Sequence, residues 1–202
     1  MKKSALIVDD HPSVRLALRY TLEKLGFDDV DESDDGINAV QRIKSKKYHI
    51  VILDIGIPGM DGTAVIKAVR VAEINTRILV YTSQPLELYV SRSKRAGASG
   101  FVSKNDPMDN VAAAIKAICS GYSFFPNMPF HASGKNSQID KLSNRELDVL
   151  RKIAAGLPNN EIANRMCLSN KTISTYKTRI MQKLGATNLV ELITIAKQEN
   201  IE

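Results

Sequence analysis

Residues 1–120 alternate short β-branched apolar runs with stretches in which apolar side chains recur every three or four positions. A strand covered on both faces is apolar without interruption, whereas an amphipathic helix shows a period near 3.6 residues. The pattern predicts strands at 5–8, around Val30, and at 50–53, 78–81 and 100–102. Helices are expected at 13–25, 37–46, 64–72, 86–96 and 109–120. Gly26, Gly97 and Gly121 follow three of these helices, and Asp35-Gly36 and Asp61-Gly62 mark the loops before two, the usual punctuation of helix ends. Such alternation builds a parallel sheet with helices on both faces. The expected fold class is therefore α/β, a flavodoxin-like, doubly wound, five-stranded domain. Its second strand is the poorest match, because Asp28, Asp29, Asp31 and Glu32 crowd it.

The alternation stops at Gly121. Residues 122–140 hold Pro126, Pro129 and Gly134 and read as a linker. From Leu142 onward only the helical period remains, in four short segments broken at 156–158, 167–169 and 185–187. The expected division is a first domain over 1–121, the linker over 122–140 and an all-α domain over 141–202. Within the last, Ser143-Asn144-Arg145-Glu146 is a capping box. A short helix over 159–166, a turn through Leu168-Ser169 and a basic helix over 171–184 together make a helix-turn-helix. On a helical wheel of 171–184, Ile173, Tyr176, Ile180 and Leu184 face the core. Lys171, Ser174, Thr175, Thr178, Arg179 and Gln182 lie opposite, and Lys177 falls on the apolar side.

Composition adds bounds. Of 202 residues, 44% are hydrophobic and 25% charged, which suits two small globular domains. No apolar run approaches the roughly 18 residues of a membrane span, and Asp9 and Asp10 end the first apolar run too early for a signal peptide. A cytoplasmic protein without membrane association is expected. Cys119 and Cys167 sit far apart in helical patterns, which argues for reduced thiols. The net charge of +6 is uneven: residues 126–202 hold 11 basic and 7 acidic side chains. Between Ser169 and Thr187, Lys171, Lys177, Arg179 and Lys183 occur with no acid. Such a stripe suits phosphate neutralisation on nucleic acid, or is merely a solvated face.

Ligand chemistry in open parallel sheets gathers at the carboxyl ends of the strands. Asp9 and Asp10 end the first expected strand, Asp54 the third and Thr82 the fourth, and Lys104 follows the fifth. Three close carboxylates repel one another, and a hard cation such as Mg2+ relieves that repulsion. One carboxylate could then attack a phosphoryl group. Each acid alone could instead be a cap or turn residue, but all five positions at matching strand ends are hard to explain that way. His11 is expected to serve a loop or cap.

The segments Ile7-Val8-Asp9-Asp10-His11-Pro12, Leu53-Asp54-Ile55-Gly56-Ile57-Pro58-Gly59-Met60-Asp61-Gly62 and Gly97-Ala98-Ser99-Gly100-Phe101-Val102-Ser103-Lys104 resemble bacterial response-regulator receivers. The resemblance implies that Asp54 accepts phosphate from a sensor histidine kinase. It implies a Mg2+ site of Asp9, Asp10, Asp54 and the Gly56 backbone carbonyl. Thr82 would be the switch hydroxyl, Phe101 the coupled aromatic and Lys104 the phosphate's counter-charge. Asn105 stands where many receivers have proline. Leu142-Ser143-Asn144-Arg145-Glu146, Asn160-Glu161-Ile162-Ala163 and Lys171-Thr172-Ile173-Ser174-Thr175-Tyr176 resemble the LuxR-type output domain. The combination is similar to the NarL/FixJ architecture, with details of the BvgA/EvgA group. It implies a phosphorylation-controlled transcription factor rather than an enzyme with substrate turnover. DNA contacts would come from Lys171, Thr172, Ser174, Thr175, Lys177, Thr178 and Arg179. Leu189, Leu192, Ile193 and Ala196 on the final helix would form a homodimer contact on promoter DNA. Two other readings stay open: a phosphohydrolase using Asp54, and a phosphorelay adaptor whose helical domain binds only protein.

Overall fold

The computed structural model describes residues 2–127, 138–199 and 201, in two compact units, Met1–Pro129 and Phe130–Glu202. The first unit runs β1 (Lys3–Val8), α1 (Pro12–Lys24), β2 (Phe27–Ser33), α2 (Gly36–Ser45), β3 (Ile50–Leu53), α3 (Gly62–Val71), β4 (Arg77–Thr82), α4 (Leu86–Ala96), β5 (Gly100–Ser103) and α5 (Met108–Cys119). The strands pair in parallel in the order β2-β1-β3-β4-β5. β1 and β3 are buried almost throughout, as their unbroken apolar runs require. Ala5, Ile7, Ile50, Ile52, Leu79, Tyr81 and Val102 pack with Leu18 and Leu22 of α1 and Val111, Ala114, Ile115 and Ile118 of α5. Side chains alternate across a strand, so Leu6, Val8, Val51, Leu53, Ile78, Val80 and Phe101, equally buried, serve the opposite face.

β2 is a full seven-residue strand despite its acids, because cations from elsewhere meet them. The Arg15 and Arg19 guanidinium groups, one turn apart on α1, both bind Glu32, at 2.9 and 2.7 Å. Lys46 Nζ lies 2.7 Å from Asp29 and 2.8 Å from Asp31. The Tyr48 hydroxyl also donates to Asp31, at 2.6 Å. Lys46 and then Tyr48 hold the Asp31 carboxyl below its ordinary range, and burial together with Asp31 pushes the tyrosine up to about 12.

The packed first unit extends past the boundary expected at 121. Phe124, assigned to the linker by its sequence, bridges to Gly100 beside β5. Its carbonyl accepts from Phe101 N–H at 2.7 Å and its N–H donates to Ser99 at 3.1 Å. Residues 128–137 of the expected linker lie outside the described residues.

In the second unit a 3-10 turn (Gln138–Lys141) precedes α6 (Asn144–Ala154), α7 (Asn159–Met166), α8 (Asn170–Leu184) and α9 (Leu189–Gln198). Leu147, Leu150, Ile162, Ile173, Ile180, Leu192 and Ala196 are buried in it. The capping box forms as expected: Ser143 Oγ accepts from Glu146 N–H, and Glu146 Oε2 accepts from Ser143 N–H at 2.7 Å. Lys183 Nζ of α8 reaches the same Glu146 oxygen at 2.6 Å, joining two helix ends through one buried carboxylate. The cysteines are free, Cys119 half-buried and Cys167 exposed, and no cis peptide bond occurs among the described residues.

Candidate functional site

Pairing of Val8 with Leu53 sets the ends of β1 and β3 level, so Asp9 and Asp54 emerge side by side. Pairing of Thr82 with Ser103 does the same for β4 and β5, and Lys104 N–H donates to the Thr82 carbonyl at 2.8 Å. The sheet order reverses direction between β1 and β3, the crevice where such sheets hold ligands.

Lys104 Nζ lies 2.6 Å from Asp54 Oδ2 and 2.6 Å from Asp9 Oδ2. Both acids are buried. Burial works against the ammonium charge of Lys104, but the field and hydrogen bond of Asp54, and then the contact with Asp9, outweigh it and hold the lysine above its ordinary pKa. Asp54 Oδ1 accepts the Gly56 N–H at 3.1 Å. Asp9 Oδ2 is buried with no hydrogen-bond donor directed at it, so Lys104 meets it as an ion contact only. Asp10 is exposed. Thr82 and Phe101 are fully buried, and Thr82 Oγ1 accepts from Gln84 N–H at 3.3 Å.

The cap alternative for the first two acids does not hold. α1 begins at Pro12 with His11 as its cap residue and without a side-chain capping bond. His11 instead turns toward the acids, and Asp9, Asp10, His11 and Asp54 each offer a ligand atom within 4.8 Å of the others. Two further contributors lie outside the residues the sequence singles out for the site. Arg15 donates to the Asp9 carbonyl at 2.8 Å while bound to Glu32, anchoring the acid's backbone to β2. Gly62 opens α3 so close to the Asp54 carbonyl that a Cβ would stand 2.4 Å from its oxygen.

In the second unit, α7 ends at Cys167 in the left-handed conformation, and Ser169 caps α8 by accepting from Thr172 N–H at 3.1 Å. Ile173, Ile180 and Leu184 are buried and Lys171, Ser174, Thr175, Thr178, Arg179 and Gln182 exposed, as the wheel predicts, whereas Tyr176, expected on the core face, is only half-buried. Thr172 and Lys177 are half-buried. Ser169, Lys171, Thr172, Thr175, Tyr176 and Arg179 line a hollow of about 320 Å³. Lys183 leaves the basic stripe, being bound to Glu146. The four residues expected to make the dimer contact separate. Leu192 and Ala196 are buried in their own domain, because they lie on the face of α9 that packs against α6. Leu189 is 40% exposed and its neighbour Val190 74%, and Ile193 is half-buried.

Residues 5–116 match the response regulator receiver domain, and residues 140–196 match the bacterial regulatory proteins of the luxR family. The chain belongs to the two-component response regulators with a LuxR-type DNA-binding domain, a family of transcription regulators. It is 45% identical to the virulence-factor transcription regulator BvgA of Bordetella pertussis over the whole of both chains. It is 38% identical to the DNA-binding transcriptional activator EvgA of Escherichia coli K12, over 98% of this chain and 99% of that one. RcsB of Salmonella enterica serovar Typhimurium, solved on the promoter rprA with the phosphomimetic BeF3-, is 29% identical with a TM-score of 0.56, covering 96% of this chain and 98% of that one. Among the described residues no helix is long and apolar enough to cross a membrane.

Proposed function

We propose that Asp54 accepts a phosphoryl group from a sensor histidine kinase, and that the modified chain binds promoter DNA in the cytoplasm as a dimer. The observation that carries this reading is the Asp9–Lys104–Asp54 contact at the ends of three strands, with both ion pairs at 2.6 Å. A carboxylate oxygen of Asp54 forms the new O–P bond as the N–P bond of the donor histidine breaks, and the leaving imidazole takes up a proton from solvent. Lys104, held protonated, offsets charge on the transferred group. The oxygen set suits Mg2+: Asp9 carries a buried oxygen without a hydrogen bond, and Asp10 and Asp54 flank it. Asp9, Asp10 and Asp54, with the Gly56 carbonyl, would hold the ion, which when bound neutralises phosphoryl oxygens. The receiver thus manages its own phosphorylation chemistry and turns over no separate substrate.

The added charge of about −1.5 to −2 draws Thr82 toward the phosphoryl group, and Phe101 repacks behind it between two receiver conformations. In the second unit Lys171, Thr172, Ser174, Thr175 and Thr178 enter the major groove, with Lys177 and Arg179 reaching phosphates by their long stems. RcsB captured on promoter DNA with a phosphoryl mimic and in dimers on DNA supports the same sequence of events. Leu189 and Val190, with Ile193 beside them, are the side chains of α9 left to meet a second copy.

Asp54→Asn is expected to abolish phosphorylation by acetyl phosphate and Mg2+, read as loss of the retarded band on a phosphate-affinity gel. Equal phosphorylation of the variant would move the acceptor elsewhere. A gel-shift on promoter fragments completes the test: acetyl phosphate should tighten binding by the native chain and not by the variant.

A further inference from the structure

We propose that His11 is a metal ligand that tilts the receiver pocket toward borderline divalent cations, Co2+, Ni2+ and Zn2+, relative to Mg2+. The inference rests on the reading of this pocket as a divalent-cation site and specifies its ligand set. His11 Nδ1 lies 2.8 Å from Asp10 Oδ1 and 3.2 Å from Asp9 Oδ1. On an ion with bonds of about 2.1 Å, neighbouring octahedral ligand atoms stand about 3 Å apart and opposed ones about 4.2 Å. Both imidazole spacings are those of neighbouring ligands. The 4.8 Å that encloses one atom each of Asp9, Asp10, His11 and Asp54 also admits an opposed pair.

The backbone keeps this arrangement short. His11 N–H donates to Asp9 Oδ1 at 2.9 Å, and Pro12 fixes the start of α1 at the next residue. Asp9 Oδ2, buried and without a hydrogen bond, already meets one cation, the Lys104 ammonium at 2.6 Å, which marks the Asp9 carboxylate as the cation-binding end of the pocket. The His11 side chain is 64% exposed, and its Nδ1 meets the acids. Mg2+ favours oxygen donors and retains water, whereas imidazole favours the later first-row ions, whose affinities rise toward nickel and copper. An imidazole here strengthens the hold on Ni2+ and leaves Mg2+ to the carboxylates.

The test is calorimetric titration of the full chain with MgCl2 and, separately, NiCl2, for the native protein, His11→Ala and Asp9→Asn. His11→Ala is expected to weaken Ni2+ by about tenfold or more while changing Mg2+ by less than about threefold. Asp9→Asn should lose both ions from the pocket, and any Ni2+ it retains measures His49 and His131 and is subtracted. Equal effects of His11→Ala on the two ions, or no effect on Ni2+, would overturn the role of His11 while Mg2+ binding through Asp9 still stood. Mg2+ binding unchanged by Asp9→Asn would overturn the cation pocket itself. The exposure of His11 makes folding of His11→Ala safe, and unchanged circular dichroism verifies it.

Discussion

Gly62 shows how one missing side chain shapes the receiver pocket. Its backbone φ is ordinary, so glycine is needed here for space alone: a Cβ would meet the Asp54 carbonyl oxygen at 2.4 Å and Ile55 Cα at 2.9 Å. Both neighbours are backbone and cannot rotate away. Gly62→Ala is therefore expected to destabilise the first unit by about 1–3 kcal/mol, the usual range for overpacking, measured as a lower denaturant midpoint. It should also slow phosphorylation of Asp54, whose backbone must move. Asp9, Asp54, Thr82 and Lys104 were legible because strand ends in this topology are predictable from apolar runs. Arg15 was not, since its bond to the Asp9 carbonyl requires knowing that α1 crosses beside β2.

Among the elements, β2 and α6 owe their ends to charges brought from a distance. The acids of β2 weaken its strand pattern, and the cations that answer them lie on α1 and beyond α2. Glu146 does comparable work for α6. Burial would raise its pKa, but the hydrogen bonds from Lys183 and from Ser143 hold it below the ordinary glutamate value of 4.5. A folded value below the unfolded one means that the stabilisation is complete above 4.5 and is lost as pH falls through the folded value. Thermal melts of the native chain are thus expected to lose stability of the helical unit below that pH. Glu146→Gln should remove this pH dependence and, near neutrality, cost about 1–2 kcal/mol, through the cap and the unpaired Lys183. An unchanged acid limb in the variant would assign the effect to other carboxylates. The capping box itself was visible in the sequence, because it is local; its link to Lys183 spans 37 residues and was not.

For the molecule as a whole, phosphate chemistry and DNA binding reside in separate units, and their energetics differ. DNA affinity that rests on Lys171, Lys177 and Arg179 should fall steeply with salt, because each neutralised phosphate releases condensed counterions. Arg179→Ala is expected to reduce the slope of log affinity against log salt by about one and to weaken specific and non-specific fragments alike. Titrations at several salt concentrations read this directly. A loss confined to the specific fragment would make Arg179 a reader of bases instead.

Local pattern was enough for the α/β class, the helix-turn-helix, the exposed face of α8 and the acids of the pocket. Each depends on a period of two or 3.6 residues, or on the rule that parallel strands present chemistry at their carboxyl ends. The fold alone decided that Lys183 leaves the basic stripe for Glu146, that Leu192 and Ala196 serve their own core, that Phe124 closes the sheet beside β5, and that His11 faces two carboxylates. Those outcomes follow from which residues distant in sequence, or which faces of a short turn, are brought within about 3 Å, and periodicity along a chain carries no such distance.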